Sequence, residues 1–300
     1  MKFSIIILTY NSEATIGATL GAAAPLSDDI HVVDSYSNDQ TCQIVRCHGI
    51  RVVQHPFQNY AAQRNWAIEA LPLKYDWELH LDADERISET LATELAELKQ
   101  TEPWPEIQGY CVPRLVRFMN RPLRHGGMFP IWHMRLFRRG QGRCEEREYD
   151  QHFVVNGKIA KLKGPIIDDI RMPLGEWVIR HNRWSDAEVH ELSRSPDSSG
   201  LCAKLRGNPL QRKRYFRNTY NRGPLFWRAG LLFVYRYIGR LGFLDGTEGL
   251  IFYFLQSLWF RFLIDAKFFE LDRVKDRQAA LDMVAKVRVP ELAAHLESDR

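Results

Sequence analysis

The first eighty residues alternate short apolar runs with stretches of helical periodicity. Phe3–Leu8 (Phe-Ser-Ile-Ile-Ile-Leu) is β-branched and almost wholly apolar, as a strand covered on both faces is. Thr9-Tyr10-Asn11-Ser12 interrupts it, and Ala14–Leu20 reads as a short helix that Asn11 or Ser12 can cap. The pattern then repeats. Strand Ile30–Val33 ends at Asp34, polar loop Ser35–Gln40 leads to helix Thr41–His48, and strand Arg51–Gln54 leads to helix Tyr60–Leu71 and strand Trp77–Leu81. Strand–helix alternation at this spacing needs right-handed crossovers, hence an open α/β sheet, mostly parallel, with helices on both faces.

In such a sheet, ligands bind beyond the carboxyl ends of the strands. The topology therefore gathers polar residues that are far apart in sequence. Thr9, Tyr10 and Asn11 follow the first strand, Asp34, Ser35 and Asp39 the second, and Asp82 and Asp84 the fourth. All are expected on one rim. Asp82 and Asp84, in Leu-Asp-Ala-Asp-Glu, offer hard oxygen ligands suited to Mg2+ or Mn2+ carrying a diphosphate. Alone, such a pair is a weak signal and reads more readily as a solvated turn; its place on the rim gives it weight. Neither G-x-G-x-x-G nor G-x-x-x-x-G-K occurs, so a nucleotide would be held by side chains rather than a glycine cradle.

Four ordered segments then carry a family likeness: Ile-Ile-Ile-Leu-Thr-Tyr-Asn at 5–11, Val-Val-Asp-Ser-Tyr-Ser-Asn-Asp-Gln-Thr at 32–41, Tyr-Ala-Ala-Gln-Arg-Asn at 60–65 and Leu-Asp-Ala-Asp-Glu at 81–85. In order and spacing they resemble the family 2 glycosyltransferases, strongly over roughly residues 1–140 and more loosely beyond. The resemblance implies a GT-A fold, a nucleotide-diphosphate-sugar donor of UDP or GDP type, and transfer with inversion. It implies that Thr9, Tyr10, Asn11 and Asp34 hold the nucleoside, with Asp39 shaping the adjacent loop. Arg64 falls near the base or diphosphate, Asp82 near ribose and metal, and Asp84 is the main metal ligand. Each has a plainer alternative: Thr9 and Asn11 as helix caps, Arg64 as a helix-surface ion pair.

Inverting transfer also needs a carboxylate to deprotonate the acceptor hydroxyl. Candidates lie in Cys144–Phe153, after Arg135-Leu136-Phe137-Arg138, a run that related sugar transferases share. Where those enzymes carry His-Glu, this chain has Asp150-Gln151, and Gln cannot be a base. Asp150 is the first candidate, with Glu146 and Glu145 behind it; His152 reads more naturally as structural. Trp132 and Arg135 are expected to wall the acceptor site, by stacking on a sugar and pairing with diphosphate. The 3–4 spacing of Trp177, Arg180, His181 and Trp184 makes one helix face, either core packing or a place where His181 and its basic neighbours meet a lipid-linked phosphate.

The last third changes character. No acidic residue falls between Asp197 and Asp245, while ten Lys and Arg residues do. Residues 224–244 interleave aromatics with Arg, and the charge-free run 249–260 is shorter than the roughly 20 residues needed to span a bilayer. Interfacial helices on an anionic membrane are the expectation, with burial against the catalytic domain or in a dimer as the alternative. Nucleic acid is disfavoured because no base-reading motif accompanies the charge. Five cysteines without a regular framework and no cleavable signal pattern give a reduced, cytoplasmic protein, peripheral on the cytoplasmic membrane face. The division expected is 1–125 for nucleotide-sugar binding, 126–205 for acceptor and catalysis, 206–271 for membrane association, and 272–300 as a polar helix or tail. Together these imply a glycosyltransferase of surface-polysaccharide or lipopolysaccharide synthesis with a saccharide, often lipid-linked, as acceptor. A polyprenyl-phosphate sugar transferase and a non-catalytic nucleotide-sugar-binding scaffold are the alternatives.

Overall fold

A computed structural model describes residues 1–100, 106–146, 151–193 and 202–274. Its first part is the expected alternation: β1 (Ser4–Thr9), α1 (Ile16–Ala23), β2 (Ile30–Asp34), α2 (Thr41–Cys47), β3 (Val52–Gln54), α3 (Tyr60–Ala70) and β4 (Trp77–Asp82). β1 pairs in parallel with β2 and β4, and β2 with β3. Ile5, Ile6 and Ile7 of β1 are fully buried, so helices cover both faces of this strand, as its unbroken apolar run requires. Helix α1 starts later than expected. Asn11 does not cap it but turns at φ +44, and Thr15 precedes the helix without a side-chain cap bond.

Beyond β4 the sheet becomes mixed. Next come β5 (Glu85–Ile87), α4 (Glu89–Gln100), β6 (Ile107–Phe118), β7 (Arg121–Pro122), β8 (Ile131–Arg138), β9 (Gly142–Cys144), β10 (Phe153–Val155), β11 (Lys158–Lys161) and β12 (Ile166–Ile170). The order across the sheet is β3-β2-β1-β4-β8-β6-β12-β5, with β7 and β11 also on β6 and β9–β10 a separate ribbon. β8 runs antiparallel to both β4 and β6, and β12 runs parallel to β6. The carboxyl ends of β1, β2, β4, β6 and β12 therefore share one rim. That shared direction positions the site.

Helices form the rest: α5 (Leu174–Ser193), α6 (Pro209–Asn221), α7 (Trp227–Val234) and α8 (Gly246–Tyr253), the last inside a helical stretch running Gly242–Val274. That stretch is long and apolar enough to cross a membrane by length and composition. It nevertheless buries Phe252, Tyr253, Phe260 and Ile264, and fixes its charges on neighbouring helices. Asp265 accepts from Arg228 Nε at 2.9 Å, and Glu188 of α5 takes both Arg217 (2.9 Å) and Arg261 (3.0 Å). Asp245 bolts the helices to the sheet, accepting the backbone N–H of Arg124 and His125 at 3.1 and 3.0 Å and the Tyr253 hydroxyl at 2.7 Å.

Candidate active site

The loops after β1 and β2 are laced into one surface. Buried Asp34 ends β2 and accepts from the Ser37 backbone N–H at 2.9 Å, the Ser37 hydroxyl, and Gln54 Nε2 at 3.3 Å. Ser37 Oγ in turn accepts from Asn11 N–H at 2.8 Å, and Asn11 Oδ1 from Asn38 N–H at 3.0 Å. Asp39 accepts from Glu13 and Thr41 N–H groups at 3.1 and 2.9 Å. Burial pushes the Asp39 carboxyl up, but these hydrogen bonds outweigh it and hold it below the usual range. Asp39 thus organises loop backbone, and Asp34 does so from inside. Two groups are left for a ligand: the exposed rings of Tyr10 and Tyr36, and Thr9 Oγ1, buried with no partner among the described residues. Tyr36 sits at φ +63, a costly conformation for a bulky residue and one that tends to accompany function.

The two carboxylates at the end of β4 have opposite surroundings. Asp82 receives Arg64 Nη2 on both oxygens at 3.1 and 3.2 Å and Arg135 Nη2 at 3.0 Å. Arg135 also donates to buried Glu85, whose other oxygen accepts the Asp82 N–H at 3.0 Å. Burial alone would raise the Asp82 carboxyl; the two guanidinium charges overcome it and keep it ionised far below the ordinary range. Among the described residues Asp84 has no such partner. Burial, then the charges of Asp168, Asp82 and Glu85, push it up to about 8, opposed by Arg180 of α5. Glu85 is raised to about 7 by burial, against the pull of Arg135.

Asp168 was invisible in the sequence as a site residue. It arrives because β12 pairs antiparallel with β5, setting Asp168 opposite Glu85, while Asp169 N–H reaches Asp84 O at 3.4 Å. The donor chemistry suits a hard divalent cation. Asp84 is an oxygen ligand crowded by like charge, the surplus that such a cation relieves, and Asp82 has its oxygens turned to arginines. Among the described residues no group of three or more His, Cys, Asp or Glu is placed to hold a metal ion.

The remaining expected residues fall elsewhere. Arg135 lies in the carboxylate network, behind the rim rather than facing it. Trp132 is half-buried under Lys161, whose Nζ is 4.9 Å from its ring, and packs in the cluster of Cys111, Met134 and Phe137. Glu145 is buried and bound by Arg214 at 2.7 Å, a poor setting for a base. Glu146 is exposed and paired with Arg143. Asp150 lies outside the described residues. His181 lies inside the helix packing. It is buried, stacked on Trp177 at 3.4 Å and within 3.0 Å of Gln256 Oε1, and burial pushes it down to about 4, so it is uncharged. Its spacing marked a packing face, while the neighbouring Arg180 is the member of that face near Asp84. All five cysteines are free thiols.

A family model described as glycosyl transferase family 2 matches residues 4–154, half of the chain. The lipopolysaccharide core biosynthesis glycosyltransferase LpsC of Rhizobium meliloti is 25% identical over 264 residues, covering 86% of this chain and 91% of LpsC. An uncharacterized glycosyltransferase of Rickettsia bellii is 32% identical over 119 residues, 40% of each chain. Among solved structures, Mycobacterium tuberculosis glucosyl-3-phosphoglycerate synthase, in complex with Mn2+, UDP-glucose and phosphoglyceric acid, has a TM-score of 0.31 at 21% identity, over 39% of this chain and 44% of that one. TarS 1–349 of S. aureus scores 0.39 at 15% identity, over 90% and 92%. With the family model spanning β1 to β10 and both acidic rim positions inside it, this chain belongs to glycosyl transferase family 2 and has its GT-A fold.

Proposed function

We propose that the protein is a metal-assisted, inverting glycosyltransferase of lipopolysaccharide core synthesis. It would move a sugar from a UDP- or GDP-sugar to a saccharide acceptor carried on lipid at the cytoplasmic face of the membrane. The observation that carries the chemistry is the division of labour between Asp82, neutralised by Arg64 and Arg135, and Asp84, crowded by Asp168 and without a salt-bridge partner among the described residues. The likeness to LpsC along nearly its whole length supports the pathway.

In this reading Tyr10 and Tyr36 flank the base, Thr9 Oγ1 meets the nucleoside, and the locked Asp34 loop holds the pocket open to both. A divalent cation on Asp84 would neutralise the departing diphosphate, so no protein acid is needed there. Arg64 and Arg135 hold Asp82 ionised and fixed. Glu145 is taken by Arg214 and Glu146 by Arg143, so the base assignment rests on Asp150. The base would remove the proton of the acceptor hydroxyl as the new bond forms opposite the leaving diphosphate.

The test is nucleotide release from a panel of UDP- and GDP-sugars with Mn2+ or with EDTA. Release that needs metal and is stimulated by a core saccharide acceptor is expected. Absence of release with every donor would favour a nucleotide-sugar-binding scaffold.

A further inference from the structure

The strongest surface outside the donor rim lies on α6 and α7. α7 and the turn that follows it expose Trp227 (75%), Leu231 (65%), Val234, Tyr235, Ile238 (59%) and Leu241, recurring every three or four residues as one helical stripe. Phe243 and Leu244 continue it onto the next turn. Isolated exposed apolar residues are ordinary, but a contiguous stripe of this length is not. The opposite face of the same helix is fully used: Arg228 is buried on Asp265 and Ala229 is fully covered. Among the described residues the stripe is therefore a face without a packing partner.

The flank of that stripe is basic. Arg212, Arg222 and Arg240 are exposed and have no ion-pair partner among the described residues, and the outer face of α6 adds the exposed rings of Tyr215 and Phe216. No carboxylate occurs from 198 to 244 to offset them. An apolar stripe bordered by unpaired arginines and aromatic rings is complementary to an anionic lipid surface, with side chains in the acyl boundary and guanidinium groups at the phosphates. A second copy of the chain would bring like charge against like.

We infer that the Trp227–Ile238 stripe, flanked by Arg212, Arg222 and Arg240, docks the enzyme in the plane of an anionic bilayer. The inference extends the proposed function and rests on it only for why the enzyme goes there. The link to chemistry is direct. β6 passes Asp168 at Val116, and the chain from its end is tied to the docking helices by Gly126 N–H to Arg240 O at 2.9 Å and by Asp245. The lipid face is thus hydrogen-bonded to the same strand system that carries the donor rim.

The experiment is flotation of the full chain on phosphatidylcholine vesicles with and without phosphatidylglycerol, at low and high salt. Sedimentation without lipid and donor hydrolysis are measured alongside. Flotation only on the anionic vesicles, weakened by salt, is expected. The combined change Trp227→Ser, Leu231→Ser and Ile238→Ser should lower vesicle affinity at least tenfold. Arg212→Gln, Arg222→Gln and Arg240→Gln should lower it roughly a hundredfold, at about a factor of five per cation. Thermal unfolding and donor hydrolysis should stay at wild-type level in both. Equal binding to neutral vesicles, flotation unaffected by these changes, or a dimer that the serine variant dissolves would each overturn it. If wild-type protein floats as expected but hydrolyses no donor, the glycosyl-transfer reading fails and the docking surface stands.

Discussion

The two halves of this molecule treat charge and apolar surface in opposite ways. At the donor rim charge is concentrated: Asp82, Glu85, Arg64 and Arg135 form one buried network, with Asp84 and Asp168 beside it. In the C-terminal helices the charges that are buried serve as clamps, Arg228 on Asp265 and Arg217 with Arg261 on Glu188, and a stripe of apolar side chains on α7 faces outward. Buried ion pairs are weak sources of net stability but severe liabilities when one partner is removed. Both halves use them to fix geometry. What differs is what each leaves unsatisfied: negative charge at the rim, greasy surface on the helices.

That contrast breaks most sharply at Asp84. Asp84→Asn should reduce metal-dependent nucleotide release at least a hundredfold while leaving the fold intact, since loss of charge stabilisation at a leaving group costs several kcal/mol. Stopped-flow or coupled detection of nucleotide release checks this. Arg135→Ala is the structural counterpart. It leaves Glu85 and part of Asp82 buried without a cation and should cost about 3–5 kcal/mol in denaturant unfolding. Activity lost with no loss of stability would mean that Arg135 acts on substrate instead.

The seam between the halves offers a smaller effect. Gly126 has φ +60, and a Cβ there would lie 2.3 Å from the Tyr253 ring. Gly126→Ala should destabilise by about 1–3 kcal/mol through overpacking and backbone strain. Because the two halves are bolted there, unfolding should remain a single transition; two separated transitions would show that they are independent.

The acidic rim also predicts a pH dependence. In metal-free protein Asp84 and Glu85 have folded values raised to about 8 and about 7, against about 4 unfolded. A raised carboxyl contributes stability that is fully present below the unfolded value and is lost as pH rises through the folded one. The melting temperature should therefore fall as pH rises from about 4, less steeply once pH passes about 7, and level off above about 8. Asp84→Asn should flatten the upper part of that fall, and calorimetry over this range with a chelator present checks it. The slightest change is expected from Ser37→Ala, about 1 kcal/mol for hydrogen bonds lost between the two loops.

The sequence disclosed the alternating first part of the fold because strands buried on both faces leave unbroken apolar runs, and β1 through β4 fall within a residue or so of expectation. It disclosed the rim because strand polarity alone places Thr9, Asp34 and Asp82 together. The second part was illegible for a physical reason: β5, β8 and β12 join through pairings between residues far apart, which no local period encodes. Asp168 sat unnoticed in an Ile-Ile-Asp-Asp-Ile run, and Glu85 looked like the tail of a motif. His181 misled because i,i+4 spacing reports a shared face without saying what that face meets. The exposed stripe on α7 was legible as aromatic and basic, but only the structure separates Arg228, consumed by Asp265, from Arg240, which is not.

The most direct test of the central claim is Mn2+ binding in the presence of UDP, followed by titration calorimetry or electron paramagnetic resonance, for wild type, Asp84→Asn and Asp82→Asn. Asp84→Asn should abolish the nucleotide-dependent Mn2+ site, and Asp82→Asn should weaken it far less because Arg64 and Arg135 already occupy that carboxylate. An unaltered Mn2+ site in Asp84→Asn would contradict the assignment.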